Sequence, residues 1–360
     1  MDVQWLRDIA RTSGPFATVY LDASHNTPDA PHLIELSWRS SRAELAGAGA
    51  DEATLAALDT AVARTVEAVD HPSGAVGQVL VAAGGSVLLD RWLPAPPAQA
   101  HAHWADAPHL LPALAQLPER LVTVLAVVDA TGADLYTGRR AEHLDTYRYP
   151  LHQVRGGGLA HLKMRHRVEE NERASAADVA RAIDDAVADT GADLLVLAGE
   201  TQSRSRVRRA LGAEADRIAE EVDAGGRAPG TAEDELDREA ARLVDDRIHA
   251  LRRDEVRRYR EAGGRAVDGV APVAEALRAA QVDTLYLDPE RVSDRKLWLG
   301  PEPEQLATDR DQLTALGIDA LGPVEAADAL VRAAAGTGAT VVPVDGEPLA
   351  DGTGAILRGG

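Results

Sequence analysis

Apolar residues in this 360-residue chain follow two rhythms. Some form short continuous or alternating runs bounded by Gly, Pro or Asp, the signature of strands; others recur every three or four residues, as one face of a helix requires. In the first third, Phe16 to Asp22 predicts a strand, and 31–69 predicts a long helical stretch interrupted at Gly47 to Gly49. The runs 78–83 and 86–90 predict a hairpin turned by Gly84-Gly85, because glycine takes the positive φ that a two-residue turn demands. Pro94-Ala95-Pro96-Pro97-Ala98 reads as a stiff connector, and a boundary falls near Pro118.

The second stretch opens with Val122 to Asp129, apolar enough for a central strand, turned at Thr131-Gly132 into a second strand at 133–137. From about Lys163 to Ala188 the spacing of Val168, Ser175, Val179, Ile183 and Val187 predicts one helix, with Glu169 and Arg173 placed for an i,i+4 pair. Residues 193–199 form another apolar run leading into a helix start at Arg204 to Arg209. A linker is expected at Gly225 to Gly230, then a highly charged helix from Thr231 to about Glu261 that docks a narrow face through Leu236, Ala240, Leu243, Ile248, Leu251 and Val256. Beyond it, helix at 270–280 and strands at 282–287, 297–299 and 339–344 suggest an α/β/α sandwich. The fold class is therefore α/β (α+β) in three domains, at 1–119, 120–228 and 229–360.

Composition narrows the function. A net charge of -20 opposes indiscriminate nucleic-acid binding, so any contact with RNA must be local. Without cysteine there is no disulfide, thiolate metal site or cysteine nucleophile. No apolar stretch reaches the roughly 20 residues that span a bilayer, and the N-terminus lacks the basic and apolar regions of a signal peptide, so a cytoplasmic protein without a membrane partner is expected. Of 38 basic residues only Lys163 and Lys296 are lysines; against this arginine-rich background, positions inform more than counts.

Two basic patches stand out. From Leu151 to Val168 lie Arg155, Lys163, Arg165 and Arg167 with His152, His161 and His166 and no acid, immediately around Gly156-Gly157-Gly158. Three glycines let the backbone bend and approach another surface closely. Cations at a helix start would oppose the helix dipole, and such a local conflict points to function. The second patch, Arg204, Arg206, Arg208 and Arg209, is the other candidate RNA contact, each patch set against the ordinary alternative of a solvated face. The lack of Gly-Lys-Ser/Thr or Gly-x-Gly-x-x-Gly at a strand end argues against a phosphate-binding nucleotide loop. His101, His103 and His109 invite a zinc reading, but in a Pro-rich connector with Asp106 alone nearby they read as a chance cluster, and no metal or cofactor is expected. Asp22, Ser24 and His25 read as structural.

These elements resemble, over roughly the last 240 residues, domains two and three of archaeal and eukaryotic class-1 release factors and of the rescue factor Pelota. Leu125 to Arg155 resembles their central domain, and Arg155 to Gly158 with Arg165, Arg167 and Glu169 on the following helix resembles their Gly-Gly-Gln loop and its basic helix. The segments 266–287 and 351–358 resemble their ribosomal-protein L-thirty-e-like third domain. With Gly14 to His25 included, the chain is more similar to the bacterial branch of that family, which holds Vms-type peptidyl-tRNA hydrolase-like proteins and Balon-type hibernation factors.

The resemblance implies a ribosome-binding translation factor that occupies the A site of idle or stalled ribosomes under stress. Arg155, Gly156, Gly157, Gly158, His161, Lys163, Arg165, His166 and Arg167 would contact 23S ribosomal RNA near the peptidyl-transferase centre, with Arg204, Arg206, Arg208 and Arg209 as further contacts and the decoding region as another place open to it. The implied partner is a translational GTPase, elongation factor Tu, docked by the third domain and the charged helix before it. Gly158 stands where release factors carry Gln. A backbone NH remains there to stabilise an oxyanion, but the amide side chain is gone, so a non-catalytic hibernation factor is favoured and a peptidyl-tRNA hydrolase is the alternative. The stop-codon-reading Asn-Ile-Lys-Ser motif is absent from 1–120, which argues against codon-specific termination.

Overall fold

The computed structural model describes residues 6–68, 75–116, 121–129, 132–139, 163–167, 176–224, 233–292 and 295–359. The chain forms two compact units, one built from Met1–Leu117 together with Arg252–Gly360 and the other from Pro118–Leu251.

The first unit begins with α1 (Arg7–Arg11), β1 (Phe16–Asp22), α2 (Ala30–Gly47) and α3 (Glu52–Val66), followed by β2 (Gly77–Ala83), β3 (Ser86–Leu93), β4 (His101–Ala105) and α4 (Leu111–Gln116). The helical stretch breaks where expected, and Asp51 restarts it by accepting a hydrogen bond from Thr54 N at 2.9 Å. The glycine hairpin is present, with Gly84 and Gly85 at φ 55 and 75. All pairings in the sheet β3-β2-β1-β4 are antiparallel. Strand periodicity divides β1 between two faces. Ala17, Val19 and Leu21 pack with Ile34, Trp38, Leu55 and Leu58 of the two long helices, which leaves Thr18 and Tyr20 for the opposite side. The strand β4 is a departure from the sequence reading, which left 101–105 in a connector.

The central unit holds β5 (Val122–Asp129), β6 (Gly132–Arg139), β7 (Lys163–Arg167), α5 (Ala176–Thr190), β8 (Leu194–Gly199), α6 (Thr201–Ala210), α7 (Ala213–Arg217) and β9 (Ala219–Glu221). The helix α8 (Glu233–Glu261) contributes its residues to Leu251 here and the remainder to the other unit. Its sheet runs β7-β6-β5-β8-β9, with β8 parallel to both β5 and β9. Both faces of β5 are covered. Val124, Ala126 and Val128 pack with Val179, Ile183 and Val207, while Leu125 and Val127 pack with Leu236, Ala240, Leu243 and Ile248. Double coverage explains why β5 and β8 read as unbroken apolar runs.

Here the sequence reading needs one correction. Residues 163–167 are not the start of a helix but a strand, antiparallel to β6 with Thr137 opposite Lys163, Tyr136 opposite Met164, Leu135 opposite His166 and Asp134 opposite Arg167. The register shifts once, between Leu135 and Tyr136. Among the described residues, the helix spans Ala176–Thr190. Lys-Met-Arg-His-Arg alternates with a period of two, a rhythm that suits a strand, and the apolar spacing that suggested helix belongs to the residues after it. The conflict between cations and a helix dipole therefore does not arise at these positions. The Gly156 to Gly158 run, Val168, Ser175, the Glu169–Arg173 pair and the 225–230 linker lie outside the described residues.

The remainder of the first unit comprises β10 (Ala266–Asp268), α9 (Val270–Arg278), β11 (Val282–Leu287), β12 (Lys296–Leu299), β13 (Leu306–Ala307), α10 (Arg310–Ala315), β14 (Pro323–Glu325), α11 (Ala326–Thr337), β15 (Thr340–Pro343) and β16 (Thr353–Leu357). Sheets ordered β10-β16-β11-β15 and β13-β12-β14 result. From Ala326 to Ala335 every residue of α11 is buried, and Gly338 ends the helix in the left-handed conformation at φ 73.

One glycine at the end of β8 is indispensable to this arrangement. Gly199 has φ 104, and a Cβ there would lie 2.1 Å from Val128 O on the neighbouring strand. Gly199→Ala is expected to cost about 3 kcal/mol or more through backbone strain and the forced separation of β5 and β8, measured as a lowered urea midpoint. Gly84→Ala, with open space around its Cβ and only the unfavourable φ to bear, is expected to cost about 1 kcal/mol.

Candidate functional site

The first candidate is the cationic edge of the central sheet. β6 and β7 are hydrogen-bonded neighbours, and β7 is the outermost strand. The chain therefore leaves β6 at Arg139 and re-enters the sheet at Lys163, opposite Thr137. Both ends of the segment that carries Arg155, Gly156, Gly157, Gly158 and His161 are thus fixed side by side on one sheet edge, although those five residues themselves lie outside the described ones. Lys163, Arg165, His166 and Arg167 occupy the returning strand.

The second cationic run is divided by burial. On α6, Arg206 and Arg209 are exposed, whereas Arg204 is 2% exposed. The Arg204 guanidinium donates to Val222 O at 2.5 Å, to Asp223 and to Thr201 Oγ1 at 3.3 Å, and its Nη1 lies 3.7 Å from Glu221. Arg208 donates to Asp216 at 3.2 Å and sits 3.5 Å from Glu221. Arg204 is a structural cation that ties α6 to the end of β9, so as an RNA contact it is withdrawn. The sequence showed four equivalent arginines, but a helix that packs through Val207 must turn the residue three positions earlier inward as well.

A third constellation was set aside as a chance cluster in the sequence and is gathered by the fold. β4 pairs with β1 so that His101 is opposite Tyr20 and His103 opposite Thr18. The alternation His-Ala-His-Trp then gives Ala102 and Trp104 to the hydrophobic layer and both histidines to the other face. Tyr20 and His101 stack with ring centroids 4.6 Å apart. His109 is secured next to them: its backbone NH donates to Thr18 Oγ1 at 3.1 Å, and its carbonyl accepts from the Tyr20 hydroxyl at 2.7 Å. That hydroxyl also accepts from Ala113 N at 3.2 Å.

Onto this group the helix α11 brings Asp328, which has no exposed surface. Asp328 Oδ1 lies 2.9 Å from His109 Nδ1, and Oδ2 lies 3.7 Å from His103 Nε2. Neither Asp328 Oδ2 nor His103 Nε2 has a hydrogen-bond partner, although both are buried. Burial disfavours charge on His109, but the hydrogen bond and the charge of Asp328 prevail and raise its pKa above the usual histidine value. For His103 burial dominates over the attraction of Asp328, and its pKa is lowered. Burial likewise lowers that of His101. Burial is also the main reason that the Tyr20 hydroxyl is held protonated far above its ordinary range. Among the described residues, no set of three or more His, Asp or Glu side chains is arranged to hold a metal ion.

Sequence reasoning missed β4 because prolines on its N-terminal side masked a two-residue alternation. It missed Asp328 because one acid in an alanine-rich helix looks like a solvated position. The available signal was Asp328 and Arg332 together, two charges within a helix otherwise apolar on every side. At i,i+4 they nevertheless do not pair, since Arg332 donates instead to the carbonyls of Gly300, Pro301 and Glu302. Asp22, Ser24 and His25 make structural contacts: Ser24 N and Oγ donate to Asp22 Oδ1 at 3.0 and 2.6 Å, Val76 N donates to Ser24 Oγ at 3.0 Å, and His25 Nε2 lies 3.1 Å from Thr65 O.

Residues 122–265 match the model of bacterial archaeo-eukaryotic release factor family 2. Two uncharacterized proteins of Mycobacterium tuberculosis, one from strain CDC 1551 / Oshkosh and one from strain H37Rv, are each 31% identical to this chain over 364 residues, covering 98% of it and 96% of their own length. Among solved structures, the archaeal translation termination factor aRF1 aligns at 15% identity over 98% of this chain and 96% of its own, with a TM-score of 0.25. Archaeoglobus fulgidus Pelota aligns at 13% identity over 99% and 92%, with a TM-score of 0.40. S. cerevisiae Dom34, described as a translation termination-like factor involved in RNA quality control and interacting with Hbs1, aligns at 10% identity over 79% and 80%, with a TM-score of 0.37. TM-scores this low do not establish a common arrangement of domains.

The division of the α6 arginines is directly measurable. Arg204→Gln leaves the Val222 carbonyl unmet and is expected to lower unfolding free energy by roughly 1 to 3 kcal/mol. Arg206→Gln and Arg209→Gln are expected to change it by less than about 0.5 kcal/mol. Urea denaturation followed by circular dichroism checks both; equal losses at Arg204 and Arg206 would contradict the structural assignment.

Proposed function

The chain belongs to bacterial archaeo-eukaryotic release factor family 2, and from that membership we propose that it is a cytoplasmic, ribosome-binding factor that occupies the A site of idle or stalled ribosomes and acts in hibernation without obligatory catalysis. The observation that supports this reading best is the sheet edge at which β6 and β7 fix both ends of the glycine-bearing segment, with four basic or histidine residues in the sequence of the returning strand. A protein of net charge -20 that is repelled by RNA in general, yet concentrates cations around a run of three glycines in its sequence, suits docking at one defined RNA surface. Arg155, His161, Lys163, Arg165, His166 and Arg167 make that contact in this reading, with Gly156 to Gly158 permitting close approach and Arg206 and Arg209 as outlying contacts. The modular plan is that of three domains at 1–119, 120–228 and 229–360, the last docking a translational GTPase of the elongation factor Tu type. An archaeal Pelota is described bound to the ribosome with ABCE1, and Dom34 as interacting with Hbs1.

Gly158 separates this reading from peptidyl-tRNA hydrolysis. A Gly at the position of the release-factor Gln keeps the backbone NH and lacks the side-chain amide, so an oxyanion donor survives while water selection does not. Purified protein added to ribosomes carrying peptidyl-tRNA is expected to release little peptide, and Gly158→Gln to release more. Rapid release by the unmodified chain would replace hibernation with hydrolysis as its activity.

Ribosome association itself is tested on sucrose gradients of growing and starved cells, where the protein is expected to migrate with ribosomal particles after starvation. Its presence only at the top of the gradient in every condition would end the ribosome reading. Changing Lys163, Arg165 and Arg167 together to Gln removes about three phosphate contacts and is expected to flatten the slope of log K against log salt by roughly two to three. Unchanged affinity at several salt concentrations would show these residues to be a solvated strand and no interface.

A further inference from the structure

We propose that His103, His109 and Asp328 form a proton-operated latch that holds the chain after β4 against α11, closed near neutral pH and loosened by both acid and alkali. The latch lies inside the unit that joins Met1–Leu117 to Arg252–Gly360, and it spans 219 residues of sequence in one hydrogen bond. Its geometry is asymmetric. One carboxylate oxygen of Asp328 is engaged by His109 at 2.9 Å, and the other stands 3.7 Å from His103 Nε2 with both atoms buried and unpartnered. A buried carboxylate with one lone oxygen is costly unless a proton or a donor reaches it, so the cluster is poised between charge states and not fixed in one.

The two histidines respond to protons in opposite directions. The fold favours charge on His109, so its stabilising contribution is complete below the ordinary histidine pKa of about 6.5 and is lost as pH rises through its raised value. The fold disfavours charge on His103 and His101, so their neutral forms support the contact above about pH 6.5, and that support is lost as pH falls through 6.5 towards their lowered values. Together these contributions make the contact strongest close to pH 6.5 and weaker on both sides.

The surroundings amplify the effect. Charging a second histidine places like charges on rings 5.3 Å apart at His103 and His109, and 6.0 Å apart at His101 and His109. Glu325 favours charge on both His103 and His109, Lys296 opposes it on His103, and Glu44 favours it on His101. Tyr20 is held neutral and acts through its hydrogen bonds and its stacking on His101. Elsewhere on and around α11 stand Arg332, whose guanidinium is committed to three carbonyls, and the charged residues of α1 (Arg7, Asp8, Arg11) and α9 (Glu275, Arg278), helices that pack against α11. Asp106 adds its charge to Arg332 from the segment after β4.

Hydrogen–deuterium exchange of the full-length chain between pH 5.5 and 8.5, corrected for intrinsic exchange rates, tests the latch. Peptides covering 101–116 and 326–337 are expected to be most protected near pH 6.5 and to lose roughly three- to tenfold protection towards either extreme, while a reference peptide over the β2–β3 hairpin stays flat. Changing His101 and His103 together to Gln is expected to abolish the acid limb alone, and His109→Gln the alkaline limb alone. Protection independent of pH in these two peptides, or both limbs persisting in both variants, would overturn the proposal. Should a variant fail to fold, histidine ring resonances of the unmodified chain decide the matter by NMR. His103 must titrate below pH 6.5 and His109 above it, and titration of both on the same side refutes the latch.

Discussion

Burial of β5 on both of its faces is the constraint from which the central unit follows. A strand covered twice has no water to satisfy its backbone, so each edge must be paired and each face roofed. The antiparallel return of β6 satisfies one edge and the parallel β8 the other, which obliges the intervening chain to cross over through α5. The second face then needs α8, a helix distant in sequence. That single requirement fixes where the chain is released from the sheet: beyond β6, where the basic segment leaves and returns, and beyond β8, where α6 begins. The contacts proposed above lie at those exits, beyond the doubly covered stretch of these strands.

A different kind of constraint governs the first unit. Its N-terminal sheet and its C-terminal helix α11 meet through polar groups, although the helix is otherwise packed by alanine, leucine and valine. Placing Asp328 at the contact makes the association conditional on partners of complementary charge, since an apolar residue there would have bound more simply. Tyr20 illustrates the precision involved. It spends its hydroxyl on two backbone groups of the 109–113 segment and its ring face on His101, so one side chain of β1 orders the scaffold on which the histidines stand.

Much of this was legible in the sequence where a local rhythm and the tertiary environment agree. The limits of β1 and β11, the glycine hairpin, the break before α3, the apolar face of α8 and the stop at Gly338 all follow from periodicity or from turn chemistry. Reading failed where two rhythms overlap or where a neighbour distant in sequence decides. Lys163 to Arg167 alternates with the period of a strand directly before a helical repeat, and the longer pattern absorbed the shorter. β4 is five residues long and becomes a strand because β1 offers it an edge, a circumstance invisible in His-Ala-His-Trp-Ala itself. Likewise nothing in the sequence separates Arg204 from Arg206; only packing through Val207 does. Of the candidate site, residue types and clustering were visible in advance, while the carboxylate of Asp328, 219 positions from His109, was not.

The strand order β10-β16-β11-β15 has an implication for how the protein is made. β10 and β11 precede β16 by many residues, yet they touch only through it, because β16 lies between them. During synthesis both emerge as strands with an open edge facing each other's vacancy, and neither can be completed until residues 353–357 have left the ribosome. Open strand edges are the part of a nascent chain most prone to pairing with the wrong neighbour. Short length is the protection available to β10, at three residues, and Asp268 and Asp283 add charge on the two waiting strands. Completion of this sheet therefore waits on β16, and a molecule truncated before β16 would expose the edge that the finished one conceals.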